Sequence, residues 1–90
     1  EDDFQPRRDL DAGLLVDLFG WDETTFLQRT EGTAIRRIGF ERWLRNLAVG
    51  LGNAQTSPEV ISALQARRGH PSALVREHVG WALGRHAQTG

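Results

Sequence analysis

Phe40-Glu41-Arg42-Trp43-Leu44-Arg45-Asn46-Leu47-Ala48-Val49-Gly50-Leu51 is the stretch that decides the fold. Its apolar residues Phe40, Trp43, Leu44, Leu47, Ala48 and Leu51 recur at i, i+3, i+4, i+7, i+8 and i+11, a clean face of a 3.6-residue helix. Arg42 and Arg45 are three apart, so they share the opposite face. Glu41 and Arg45 stand in the favoured i,i+4 order for an ion pair. Gly52-Asn53 ends the helix.

Downstream, Ser57-Pro58-Glu59 reads as a helix start: a serine cap, proline at the first helical position and an acid in the first turn. Val60, Ile61 and Leu64 supply the apolar face. Arg67 and Arg68 suit the negative C-terminal end, and Gly69 suits the residue after it. Pro71 and Ser72 open a last helix with Leu74, Val75, His78, Val79 and Ala82 facing inward, and residues 87–90 are expected to fray. Upstream, Thr33 is expected to cap a short turn over 34–38 that Gly39 closes. Asp22 fits an N-cap, with Trp21 and Phe26 placed as a hydrophobic staple. Leu10, Leu14, Leu15, Leu18 and Phe19 form another helical stripe, capped by Asp9 or Asp11 and stopped by Gly20. Residues 1–9 show no period and read as a lead-in, and residues 10–86 as one helical domain.

No segment alternates in strand fashion. The expected architecture is all-α, five helices plus a short turn, with short connections that make neighbours antiparallel. A weak repeat aligns Leu47-Ala48-Val49-Gly50-Leu51-Gly52 with Val79-Gly80-Trp81-Ala82-Leu83-Gly84 at an offset of 32. Such a period suggests stacked helix pairs, an α-solenoid. Glycines at 50, 80 and 84 each cost about 1 kcal/mol inside a helix, a cost offset if a neighbouring helix approaches closely there.

Ninety residues suffice for one small domain, and 39% hydrophobic with 26% charged residues is too apolar for disorder. The absence of cysteine removes disulfides, thiolate zinc sites and cysteine nucleophiles from this chain. No apolar run approaches the roughly 20 residues of a membrane helix, and no signal peptide is evident. A start at Glu1 without methionine is expected of a piece of a longer chain. Cytoplasmic location, no membrane partner and a monomeric state are the corresponding expectations.

The net charge of −1 hides an asymmetry. Residues 1–31 hold nine acids and three arginines, whereas residues 32–90 hold eight arginines and three acids. Every basic residue is arginine. A guanidinium is a planar fork suited to phosphate or carboxylate. From the residues alone, both a solvated helix face and a polyanion-binding surface stay open.

Other motifs carry less. His70, His78 and His86 are eight apart, where zinc ligands on one helix need three or four, so no metal site is expected. Asp9-x-Asp11-x-Gly13 lacks the further ligands of a calcium loop. No nucleophile elbow, P-loop or dinucleotide fingerprint occurs, and no catalytic residue is expected. Trp21 and Trp43 belong to core positions; Trp81 lies off the main stripe, and its placement is open.

Residues 57–84 resemble a HEAT-type repeat through Pro71, Val75-Arg76 and Ala82-Leu83-Gly84, with His70 where that pattern has aspartate. The resemblance implies a structural role for Arg76, in packing or in pairing with a carboxylate. The stretch Gly32-Thr33-Ala34-Ile35-Arg36-Arg37-Ile38-Gly39, continued through Phe40 to Asn53, resembles the C-terminal region of epoxyqueuosine reductases, and Phe4-Gln5-Pro6-Arg7 resembles the segment beyond that family's ferredoxin-like motifs. The resemblance implies a parent enzyme, often described as an iron–sulfur cluster-binding protein, that uses cobalamin and two 4Fe–4S clusters in the last step of queuosine formation in tRNA. Those cofactors would sit in upstream catalytic domains, with none in this chain. It also implies that this chain helps hold tRNA, with Arg36, Arg37, Arg42, Arg45, Arg67 and Arg68 as candidate contacts. Two other roles compete: a protein–protein docking module, or a structural cap for the upstream domains.

Overall fold

The computed structural model describes residues 12–89. Six helices and no strand occur among them: α1 (Ala12–Phe19), α2 (Glu23–Arg29), α3 (Ile35–Ile38), α4 (Phe40–Gly52), α5 (Pro58–Ala66) and α6 (Ala73–Thr89). The protein is all-α, and α3 is the expected short turn. The lead-in over 1–9, Leu10 and the caps proposed at Asp9 and Asp11 lie outside the described residues.

The stripe on α4 is the centre of the core. Trp43, Leu44, Leu47, Ala48 and Leu51 are buried, and Val60, Leu64, Val75, Val79 and Ala82 pack with them from α5 and α6. Trp43 also receives Trp21, stacked with ring centroids 5.4 Å apart, and Phe26 at 5.1 Å. Trp43 is a core residue, and half-buried Trp21 packs against the core. α1 contributes Leu15 and Phe19. Leu14, expected on the same stripe, is 45% exposed because only one side of α1 meets α4 and α5.

Several local signals act as read. Asp22 accepts from the Thr25 N–H at 2.8 Å, and Ser57 caps α5 by accepting from Val60 N–H. Others differ. Thr33 does not cap α3; its hydroxyl donates to the Thr30 carbonyl at 2.7 Å. Gly69 is absent from the positive-φ glycines, which are Gly32 and Gly39, because hydrogen bonds from Arg67 N–H and Arg68 N–H already close the end of α5. α6 continues helical to Thr89, past the expected end at His86. Buried His86 anchors that last turn.

The packing of α4 on α6 explains the repeat. At one end, Ser72 Oγ donates to Glu41 Oε2, and the Phe40 and His70 rings lie 6.5 Å apart. At the other, Arg85 Nε donates to the Gly52 carbonyl at 3.0 Å, and His86 Nε2 donates to the Leu51 carbonyl at 2.7 Å. Like ends meet, so α4 and α6 run parallel. These pairs are separated by 31, 33 and 35 residues, bracketing the sequence offset. α5 starts beside the C-terminal end of α4 and returns, so that Arg67 lies over the Phe40 ring at 5.9 Å. It is therefore antiparallel to both. The close approach is at Gly52, where a Cβ would meet Trp81 Cζ3 at 2.5 Å. Gly80 and Gly84, expected to face a neighbour, have no such atom within 4 Å.

Candidate nucleic-acid interface

Gly39 builds the first part of the site. Its φ of 90° and ψ of 156° break the chain between α3 and α4 while letting it serve as the N-cap of α4. A side chain would be strained at that φ. Arg36 and Arg37 lie on α3 before the break, and Arg42 in the first turn of α4 after it. All three are exposed. Arg36 and Arg37 line a shallow concavity with Gly32, Thr33 and Ala34. Arg42 lines a second groove with Glu41, His70 and Ser72.

The other candidates are placed differently. Arg45 is half-buried, and its Nε is shielded without a hydrogen-bond partner. Glu41 Oε2 accepts from Ser72 Oγ. Arg68 is exposed in the turn after α5. Arg67 is engaged inside the molecule: Nε and Nη2 donate to the Phe19 carbonyl at 3.1 and 3.0 Å, and Nη2 also donates to the Trp21 carbonyl at 2.7 Å. Burial pushes its pKa below the usual guanidinium value, and Asp22 opposes that shift. Arg76 has the structural role expected of it, but its acceptors are the His70 and Pro71 carbonyls at 2.7 and 2.9 Å rather than a carboxylate.

His70 borders the groove, and its Nδ1 accepts from the Ser72 N–H at 3.0 Å. An aspartate makes the same bond two residues along in an Asx turn, so histidine here supplies the acceptor that the repeat pattern takes from aspartate. Burial lowers its pKa, Arg67 and Arg76 add to the shift, and Glu41 opposes it.

Two residues escaped the sequence reading. His86 is buried, bonded to Leu51 and at 2.7 Å to Thr56 Oγ1. Its signal was available, since it extends the stripe of Val75, Val79 and Ala82 by one more turn. Arg85 lies over the Trp81 ring at 5.3 Å, four residues further on the same helix. Among the described residues no group of three His, Cys, Asp or Glu could hold a metal. No described helix is long and apolar enough to cross a membrane.

No family model and no solved structure matches this chain. Curated proteins do. The chain is 64% identical over 87 residues to the epoxyqueuosine reductase of Pseudomonas aeruginosa, covering 97% of this chain and 24% of that protein. It is 64% identical over 86 residues to the epoxyqueuosine reductase of Xanthomonas campestris, covering 96% and 24%. The Escherichia coli epoxyqueuosine reductase is 54% identical over 84 residues, covering 92% and 22%. The chain thus spans about a quarter of the length of these relatives, and the matched portion is their C-terminal part.

Proposed function

We propose, from the premise that this chain matches the C-terminal part of epoxyqueuosine reductases, that it is a HEAT-like, non-catalytic module that docks tRNA for such an enzyme. What supports the proposal is that Arg36 and Arg37 on α3 and Arg42 on α4, on either side of the Gly39 break, are all exposed. Guanidinium groups so placed neutralise successive phosphates, giving sequence-independent affinity and orientation without reading bases. Arg45 adds a cation along α4, and Arg68 adds one beyond α5. Arg67 supports the surface from within by holding the α1–α2 turn.

In this reading the parent is a cytoplasmic, monomeric reductase acting in the last step of queuosine formation. Its cobalamin and two 4Fe–4S clusters are held by other segments, since this chain offers no cysteine. This module sets the register of the tRNA, and the epoxyqueuosine base is thereby presented to the catalytic domains.

An amide-shift titration of the labelled chain with a queuosine-type tRNA, at low and moderate salt, tests the proposal. The expected shifts cluster at Arg36, Arg37 and Arg42 and weaken as salt rises. An affinity of about 10⁻⁴ to 10⁻⁶ M is the scale of phosphate-only binding. No shift with millimolar RNA at low salt overturns the proposal and turns attention to the protein-docking and capping roles.

A further inference from the structure

Trp81 is the one tryptophan that the core does not absorb. It is 43% exposed, whereas Trp43 is 3% exposed. Its exposure is not looseness. The ring edge rests on the bare backbone of Gly52, where a Cβ would stand 2.5 Å from Cζ3 and 3.1 Å from Cη2. Arg85 lies over the ring at 5.3 Å and is itself fixed by the bond from Nε to the Gly52 carbonyl at 3.0 Å. The indole is thus held in place before any ligand arrives, and little freedom is lost on contact.

Beside the ring runs a groove between α4 and α6, lined by Val49, Glu77, His78 and Trp81. Arg42, Arg45 and Val49 stand at i, i+3 and i+7 on α4, and His78, Trp81 and Arg85 repeat that spacing on the parallel α6. Helical spacing thus sets Arg42 and Arg45 on the face of α4 that carries Val49, and Arg85 on the face of α6 that carries Trp81, with Glu77 lining the groove and Glu41 beside Arg42. A flat apolar face flanked by arginines is the combination with which proteins take up unpaired nucleotides: backbone to the cations, base against the ring.

We propose that Trp81 is a stacking platform for an unpaired base of the docked RNA, and that Glu77 accepts a hydrogen bond from the amino group of that base. The inference rests on the docking reading and adds a single-strand contact to it.

The test follows the three indole N–H resonances of the labelled chain during titration with a queuosine-type tRNA and with a fully paired RNA duplex. The tRNA is expected to move the Trp81 resonance, and the duplex to leave it in place. Trp81→Leu keeps apolar bulk on Gly52 but removes the stacking face; it is expected to weaken tRNA binding about tenfold, the scale of one lost base stack. Trp81→Phe is expected to retain most of the affinity, and neither variant to change the salt dependence. Salt-dependent tRNA binding with an unmoved Trp81 resonance and unchanged affinity in Trp81→Leu overturns the stacking proposal and leaves docking intact. Absence of any tRNA binding overturns both.

Discussion

Arg67 Nη2 reaches the Trp21 carbonyl at 2.7 Å, across 46 residues of sequence. The same guanidinium donates twice to the Phe19 carbonyl and lies over the Phe19 ring at 5.7 Å. A helix leaves its last carbonyls without partners inside the helix, and α1 ends at Phe19. Arg67 thus supplies donors to the α1–α2 turn while its own backbone closes α5. A planar fork can serve both carbonyls at once; an ammonium is a point donor.

Arg67→Ala is therefore expected to lower unfolding free energy by about 2 kcal/mol, the scale of charge-assisted hydrogen bonds lost from partly buried acceptors. For a domain of this size that is a fall in Tm of about 10 °C. Arg67→Lys should recover only part of it. Thermal denaturation measures both. A melting temperature unchanged in Arg67→Ala contradicts the assigned role.

His70 gives a pH dependence. Its Nδ1 must be unprotonated to accept from Ser72, and its pKa in the fold lies below the ordinary value of 6.5, through burial first and the nearby arginines second. The unfolded chain then binds more protons in this window, so stability is complete above pH 6.5 and declines as pH falls below it. His70→Asn keeps an acceptor two residues before the same N–H and does not titrate there. Its stability is expected to fall less than the native chain's between about pH 7 and pH 5. Denaturant midpoints across that range decide the matter; parallel curves contradict it.

The helices were legible because their signals are local. The α4 stripe, the Ser57 and Asp22 caps and the Gly39 break need only neighbours a turn away. The repeat at an offset of 32 was legible too, and it falls on two helices that run parallel, although Gly52 is closely approached and its counterpart Gly84 is not. What escaped depends on distant partners. Leu14 looks like Leu15 until one knows that, among the described residues, no element covers its side of α1. Arg67 and Arg68 are alike in sequence, yet only Arg67 meets the carbonyls of the α1–α2 turn. Trp81 differs from Trp43 because its neighbour is Gly52, 29 positions away. Of the candidate arginines, the exposure of Arg36, Arg37 and Arg42 and the half-burial of Arg45 depend on what the rest of the fold covers.

The most direct measurement is the affinity of the chain for a queuosine-type tRNA as a function of salt, in the native form and in Arg36→Ala, Arg37→Ala and Arg42→Ala. Log affinity should fall linearly with log salt in the native chain. Each substitution of a phosphate-contacting arginine should weaken binding and flatten that slope by up to about one unit. Arg67→Ala, compared well below its melting temperature, should keep the native slope. A native slope near zero, or a slope that all three substitutions leave unchanged, contradicts the assignment of these arginines to tRNA.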